Sequence, residues 1–439
     1  VLIDSRSNPP KQREKERERE MSRIFVTLQL YFAIVCLGLS GAVLGPTLIA
    51  IGDQIGVNDV GNLSFLFVMR AAMYLIGSTI SGYFASKYEC GFQFLTGTMF
   101  YAAAVLATVP YIRDAWLMYF VVSVHGLANG ALTNLPNSQI LRLFENDSNQ
   151  GMYMQGLHFC FGVGATIAPL LVRLLIPTNI MRVYWVIALC HLMCASIMLG
   201  TLVSKAFIEE KVENEDVAKT LLPSSSGQKQ FSKRATFGRR ELGFVILMSL
   251  FIMCYVGQEV GVGALLYSFG RLSHFHMSPS DAAMLTTSFW LSFTIGRFVA
   301  IFASKCMRPK TLLSYSILGV FLGTTLLHES TLHIQDENDN VTRRASTLLW
   351  LAVSMLGFTN APIYASAVTL TDEYVKTNEN VVSALVAGDT LGEMIIPGMI
   401  GQFMSHFGPE AFSWGVVIPV VCSTSIFLMM LICFNPRHY

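Results

Sequence analysis

The sequence predicts an all-α membrane protein whose twelve transmembrane helices form two six-helix pseudo-repeats. Of its 439 residues, 53% are hydrophobic and 13% are charged, whereas soluble domains average about 25% charged residues. Apolar runs long enough to cross a bilayer recur twelve times, and one long charged segment divides them six and six. The net charge of +1 provides no basic field for nucleic acid, so nucleic-acid binding is excluded.

Each apolar run has the length that a transmembrane helix needs. A hydrocarbon core about 30 Å thick requires roughly 20 helical residues. Because backbone polar groups in lipid must be satisfied within the segment, the runs are predicted as helices and not as open strands. The predicted spans cover residues 24–51, 65–85, 92–111, 116–141, 156–176, 183–203, 242–269, 283–304, 311–328, 346–370, 381–404 and 411–434.

The segments outside the spans define the domain organisation. Residues 1–23 are predicted as a disordered cytosolic tail, because the charged stretch before Met21 has no apolar periodicity and is compatible with upstream translated sequence. Residues 24–203 and 241–434 form the two halves, joined by a cytosolic linker at 204–240. A short cytosolic tail, 435–439, follows.

Charge placement predicts the orientation. Lys and Arg are concentrated in the segments that lie on the same side as both termini, so the positive-inside rule places both termini in the cytosol. The sequon Asn340-Val341-Thr342 then falls outside, between the ninth and tenth spans, and Asn340 is predicted to be glycosylated. We expect a multi-pass, monomeric protein of the plasma membrane.

Weak internal matches link the two halves. They are Phe84-Ala-Ser-Lys87 with Phe302-Ala-Ser-Lys305, Gly126 and Asn129 with Gly357 and Asn360, and Gly164 and Pro169 with Gly392 and Pro397. Repeated six-span halves are typical of secondary transporters, whose binding site lies near the bilayer midplane between the halves. The pattern therefore predicts transport. No metalloprotease, phosphate-loop or nucleophile motif is found, so the chain is not predicted to be an enzyme.

Metal and disulfide chemistry are not expected. Seven of the nine cysteines lie inside apolar runs, and no Cys or His cluster has metal-ligand spacing. We predict no metal and no cofactor.

Four charged residues within the spans are predicted to serve in ion coupling or gating, because intramembrane charges usually have a functional reason. They are Glu259, Arg297, Asp389 and Glu393. The alternative is that Glu259 only pairs with Arg297 on the neighbouring span.

A polar stripe on the fourth span is predicted to contact substrate. Asn129, Thr133 and Asn137 are spaced four apart and share one helix face. Uncharged donors and acceptors suit a neutral, polyhydroxylated substrate, and Asn360 repeats the pattern in the second half. The alternative is hydrogen bonding between helices.

Four further residues complete the predicted substrate site: Gln155, His158, Gln258 and Trp290. The imidazole of His158 can donate to a sugar oxygen, although a bond to a neighbouring carbonyl is an equal alternative. The Trp290 ring can stack on a pyranose face. Arg70 and Arg173 are instead predicted to extend toward the membrane interface.

Three motifs resemble the major facilitator superfamily and, within it, the sodium-dependent glucose transporter group. They are Tyr255-Val-Gly-Gln-Glu259, Phe293-Thr-Ile-Gly-Arg297 and Gly392-Glu-Met394 with Pro397. That group also includes the major facilitator domain-containing protein 4 members, and it is related to bacterial fucose permeases. The resemblance implies a twelve-helix fold, alternating access, a sugar cargo and Na⁺ as the coupling ion.

Two departures from that pattern keep other functions open. Ser86 stands where the superfamily loop carries an Asp, and Thr133 stands where sugar-carrying relatives place an acid before Asn137. The predicted function is secondary transport of a neutral, glucose-like sugar. The alternatives are a carrier of another small organic solute and a receptor or scaffold that keeps a transporter fold without transporting.

Overall fold

The computed structural model describes residues 10–88, 90–145, 150–176, 179–213, 239–332, 339–375 and 379–434. These residues form fourteen α-helices joined by short turns, with no strand among them. The helices are α1 Pro10–Ala42, α2 Leu44–Ile55, α3 Val60–Tyr88, α4 Gly91–Thr108, α5 Ala115–Leu143, α6 Gln150–Leu175, α7 Val183–Glu213, α8 Arg239–Leu272, α9 Pro279–Cys306, α10 Pro309–Leu332, α11 Asp339–Asn360, α12 Ile363–Tyr374, α13 Glu379–Phe407 and α14 Phe412–Cys433.

Twelve helical segments are long and apolar enough to cross a membrane. The prediction of twelve spans is thereby confirmed. In the part of the chain that the structure describes, the first span, Met21–Ala42, lies within α1, and the short helix α2 follows it. The tenth span, Arg344–Tyr374, is made by α11 with α12.

The helix ends differ from the predicted boundaries in two places. The tail before residue 24 was expected to be disordered, but α1 begins at Pro10, because the Lys, Arg, Glu and Gln residues that follow are strong helix formers with no Gly or Pro among them. The linker predicted at 204–240 is helical at both ends, where α7 reaches Glu213 and α8 begins at Arg239, and residues 214–238 lie outside the described part of the chain. Asn340 lies in the first turn of α11, and its side chain is outside the described part.

Two predicted spans are broken near a proline. Residues 24–51 were predicted as one helix, yet α1 ends at Ala42, four residues before Pro46. Residues 346–370 divide between α11 and α12, next to Pro362. Proline has no N–H for the carbonyl four residues earlier, so the hydrogen-bond ladder is interrupted at both sites.

The two halves repeat each other in how their helices pack. In each half, glycines lie directly against a backbone carbonyl of the neighbouring helix, where an added Cβ would overlap the oxygen. The matching pairs are Gly77 with Leu127 and Gly296 with Phe358; Gly126 with Arg70 and Gly357 with Phe289; Gly164 with Val35 and Gly392 with Met253. Small residues allow such close approach in membranes. The predicted internal repeat is therefore present in the packing.

The halves meet mainly at one side of the molecule. We call the side where α7 ends and α8 begins the linker side, and the opposite side the loop side. Near the loop side, Ser64 of α3 donates to the Gly398 carbonyl of α13 at 3.4 Å. There too, Arg173 of α6 donates to Ser280 of α9 at 2.9 Å. These contacts close the loop side, and the space between the halves extends toward the linker side.

Candidate functional site

A cavity of ≈ 380 Å³ lies between the two halves, within the range of about 300–1,000 Å³ that small-molecule sites occupy. Side chains from α1, α3, α5 and α6 form one wall, and side chains from α8, α9, α12 and α13 form the other. Of the twelve predicted substrate and ion-coupling residues, nine line this cavity: Asn129, Thr133, Asn137, His158, Glu259, Trp290, Arg297, Asp389 and Glu393.

The polar stripe of α5 faces the cavity as predicted. Thr133 Oγ1 donates to the Asn129 carbonyl at 3.0 Å, and Asn137 Nδ2 donates to the Thr133 carbonyl at 2.6 Å. The Asn137 Oδ1 atom is buried and has no hydrogen-bond partner among the described residues. A buried acceptor without a donor is costly, and because this oxygen is enclosed, the Asn137 side chain must turn for a ligand hydroxyl to reach it.

The neighbouring Asn134 fits the alternative, in which amides bridge helices. Its Nδ2 donates to the Ser78 carbonyl of α3 at 2.9 Å. Both residues also line the cavity. Within the stripe itself, Asn129 also bridges helices, because its Oδ1 accepts from Ser40 of α1 at 3.3 Å.

The second wall carries the charged residues. Arg297 Nη1 donates to the His158 carbonyl of α6 at 2.9 Å, so it joins the two halves. Its guanidinium also lies 4.5 Å from the centre of the Phe293 ring, a cation–π geometry. Among the described residues, Glu259 and Arg297 come within no ion-pair distance of 4.0 Å, yet they interact electrostatically, so the pairing alternative stays a prediction.

Glu259 instead contacts a tyrosine one turn earlier on α8. The Tyr255 hydroxyl lies 2.6 Å from Glu259 Oε2 and 2.5 Å from the Asn360 carbonyl. Tyr255 is buried, and Glu259 is 8% exposed. This contact joins the cavity wall to the end of α11, and the sequence analysis missed it.

Arg70 is a correction to the sequence analysis. It was predicted to extend to the membrane interface, but it lines the cavity and its Nη1 donates to the Gly41 carbonyl at 2.7 Å. Tyr74 and Ser78 follow at intervals of four on α3 and also line the cavity. Residues spaced by four share a helix face, and that polar spacing was the signal in the sequence.

Three predicted substrate residues lie outside the cavity lining. Gln155 is exposed. Gln258 is fully buried, with both amide atoms lacking a partner among the described residues, because it sits about 100° around the helix from the cavity-facing Glu259. The Asn360 side chain is likewise buried without a described partner, and only the backbone carbonyl takes part in the Tyr255 contact.

Aromatic rings complete the site. The Trp290 ring packs edge-on to Phe161 of the other half, with ring centroids 6.4 Å apart. Its indole nitrogen is buried without a described partner, so it is a free donor beside the cavity. Tyr364 of α12 also lines the cavity, although nothing in the local sequence indicated it.

Comparison with known proteins supports the fold and the class. The sequence profile described as Major Facilitator Superfamily matches residues 30–273. The human sodium-dependent glucose transporter 1 is 30% identical over 418 residues, which cover 89% of this chain and 74% of that protein. The mouse major facilitator superfamily domain-containing protein 4A is 22% identical, covering 94% and 92% of the two chains.

Solved structures show the same fold at low identity. The crystal structure of a D-xylose-proton symporter superimposes with a TM-score of 0.69 at 13% identity, covering 94% of this chain and 98% of that one. At this identity the likeness concerns the fold alone.

Proposed function

The chain belongs to the major facilitator superfamily, and from that premise we propose that it carries a neutral, glucose-like sugar by alternating access. The observation that supports this most directly is the uncharged wall of Asn129, Thr133 and Asn137, in which the enclosed Asn137 Oδ1 has no partner among the described residues. Sugar hydroxyls supply donors to such a wall. Beside it, Trp290 offers an aromatic face to a pyranose ring.

The closed loop side fits one state of an alternating-access cycle. In the proposed orientation the linker side is cytosolic, so the structure corresponds to a state that faces the cytosol of a plasma-membrane protein. Each chain contains one complete cavity, which is sufficient for a monomeric carrier. Because several relatives are named sodium-dependent glucose transporters, a sodium gradient is the first driving force to test.

Uptake of labelled glucose into liposomes containing the purified protein tests the proposal. Saturable uptake, with or without dependence on an inward sodium gradient, is the expected result. Sodium-driven accumulation identifies a symporter, and equilibration that ignores sodium identifies a uniporter. Binding of glucose without flux favours the receptor alternative. The absence of both binding and flux would refute a glucose-like cargo.

Asn137→Ala tests the assignment of the polar wall. We expect the KM for the sugar to rise by about threefold to tenfold, the effect of losing one hydrogen bond. Gln139→Ala is the matched control, because Gln139 lies on the same helix but not in the cavity lining. Equal KM values in both variants, at equal surface expression, would remove Asn137 from the site.

A second cargo class is favoured by the two arginines. Arg70 and Arg297 both line the cavity, and the sequence had placed only Arg297 of the two near the site. A solute that carries a carboxylate would find two guanidinium groups. Competition of labelled glucose uptake by neutral sugars and by organic anions separates the two classes.

A further inference from the structure

The Tyr255 hydroxyl lies close to two oxygen atoms that ordinarily only accept hydrogen bonds. Glu259 Oε2 is at 2.6 Å and the Asn360 carbonyl oxygen is at 2.5 Å, both within the range for O–H···O bonds. A phenol carries one hydrogen, and a carbonyl oxygen carries none. If Glu259 were ionised, one of the two contacts would bring oxygen against oxygen with no hydrogen between them.

A proton on Glu259 satisfies every atom of the group. The carboxylic acid then donates to Tyr255 Oη, and the Tyr255 hydroxyl donates to the Asn360 carbonyl. A phenolic oxygen accepts and donates at once, so this chain of two bonds uses each group within its capacity. The geometry therefore corresponds to neutral Glu259 in the state that is open toward the linker side.

We propose that Glu259 is the site where the coupling proton binds and that Tyr255 transmits its protonation state to the break between α11 and α12. The coupling role rests on the proposed transport function, whereas the proton-binding site is inferred from the contacts of Tyr255 alone. It assigns a proton as the coupling ion in place of sodium.

The charged and titratable groups around Glu259 come from several helices. They are Tyr255 on α8, Arg297 on α9, Tyr364 on α12, and Asp389 and Glu393 on α13. The other helices packed on α8 add little: α14 carries no Asp, Glu, Lys or Arg, and Asp53 of α2 lies near the loop side. Arg70 on α3 interacts with Glu393, and Arg297 is already bound to the His158 carbonyl. The cavity therefore holds two arginines against Asp389 and Glu393, and a third carboxylate at Glu259 would have no cation of its own.

Release of the proton changes the bonding at the helix break. The proton passes from Glu259 to water in the cavity, which Glu259 lines, and a carboxylate remains. Tyr255 keeps its own hydrogen and turns it toward that carboxylate, so the Asn360 carbonyl loses its donor. Asn360 is the last residue of α11, and Pro362 supplies no N–H nearby. An unsatisfied buried carbonyl is costly, so deprotonation favours a different arrangement of the break.

Infrared spectroscopy of the purified protein tests the proton without relying on any cargo. At neutral pH we expect a carboxylic-acid C=O band that Glu259→Gln removes. Tyr255→Phe deletes the acceptor of the acid hydrogen, so the band should shift. Tyr267→Phe is the matched control, because Tyr267 is a buried tyrosine on α8 outside the cavity lining, and the band should stay in place. An identical acid band in wild type and Glu259→Gln would overturn the proposal.

Transport in liposomes tests the coupling. With no sodium present, an inward proton gradient should drive sugar accumulation by the wild type and by Tyr267→Phe. In Glu259→Gln the accumulation ratio should fall to one, while sugar exchange decreases by less than about tenfold, since the amide still donates to Tyr255. Accumulation that follows sodium and ignores the proton gradient would overturn the proposal. An acid band assigned to Glu259 without glucose flux would support the proton site and refute the cargo.

Discussion

In the first half, Ser40 of α1 donates to Asn129 Oδ1 of α5 at 3.3 Å. At the matching place in the second half, the Tyr255 hydroxyl of α8 contacts both Glu259 Oε2 and the Asn360 carbonyl at the end of α11. Both sites lie beside the same packing feature, since Gly38 contacts Gly164 and Gly257 contacts Gly392. The two halves therefore share helix packing but place a hydroxyl in one site and a carboxyl in the other.

This difference indicates a division of labour across the cavity. The first half contributes the uncharged stripe on α5, and the second half contributes Glu259, Arg297, Asp389 and Glu393. Glycines opposite carbonyls are enough to repeat the packing, so the remaining side chains of each half are free to differ. In the proposed function, the first wall would supply most hydrogen bonds to the sugar, and the second wall would supply the ion-coupling groups together with the Trp290 ring.

Arg70 is the exception to this division, because it brings a cation to the uncharged wall. Replacing it with Ala removes a charged donor from the Gly41 carbonyl and a positive charge that interacts with Glu393. We expect uptake at equal surface expression to fall by about tenfold to a hundredfold, the usual effect of losing a hydrogen bond to a charged group.

Arg173→Ala is the control for this variant. Arg173 also bonds across the halves, but it does so at the loop side and outside the cavity. A comparable loss in both variants would mean that Arg70 acts only in holding the halves together. Partial recovery in Arg70→Lys would show that its charge matters.

Gly77→Ala and Gly296→Ala test whether the halves are equivalent in packing. Each added methyl meets a carbonyl oxygen of the neighbouring helix, so we expect each to lower the free energy of unfolding by about 1–3 kcal/mol. Gly200→Ala is the control: nothing lies within 4 Å of its added Cβ, and it should stabilise by up to about 1 kcal/mol. Thermal unfolding in detergent measures all three, and sensitivity in only one half would break the equivalence.

The sequence was sufficient to predict the spans, the repeat and nine of the residues that line the cavity. Twelve apolar runs dictate twelve helices because lipid leaves the backbone no other partner. The spacing of Asn129, Thr133 and Asn137 correctly placed them on one face that meets the cavity. Repeated glycines at Gly126 and Gly357 predicted the shared packing.

The remaining features depend on tertiary contacts that no local pattern contains. Arg70 was misplaced because the prediction relied on its short distance from the end of the span. The helix face that it shares with Tyr74 and Ser78 was not considered. The Tyr255 contact joins residues 105 positions apart. Gln258 and Asn360 are polar residues within spans, yet the angle at which each helix packs turns them away from the cavity.

Asp59→Asn tests the difference between the loop side, where the halves are in contact, and the linker side, toward which the cavity extends. We expect this variant to have the smallest effect. Asp59, just before α3, accepts from Ser405 Oγ of α13 at 2.5 Å and from the Asn62 N–H at 2.8 Å, so it links the halves at the loop side. In a Ser64→Cys background, loss of the carboxylate should speed labelling by a membrane-impermeant thiol reagent about twofold to tenfold, the effect of one hydrogen bond. Asp114→Asn is the matched control, because Asp114 bonds only within its own half, to the Leu117 N–H.

The pH dependence of this link separates it from Glu259. Burial alone would raise the pKa of Asp59, but the hydrogen bonds from Ser405 and from the Asn62 and Gly61 N–H groups hold it below its usual value. A lowered pKa stabilises the closed form above the ordinary Asp pKa of about 4 and loses that effect only as the pH falls through the lowered value. Labelling of Ser64→Cys should therefore be insensitive to this link between pH 5 and 8, and any pH dependence in that window should disappear when Glu259→Gln is added. A pH response that survives Glu259→Gln and is abolished by Asp59→Asn would place the switch at the loop side instead.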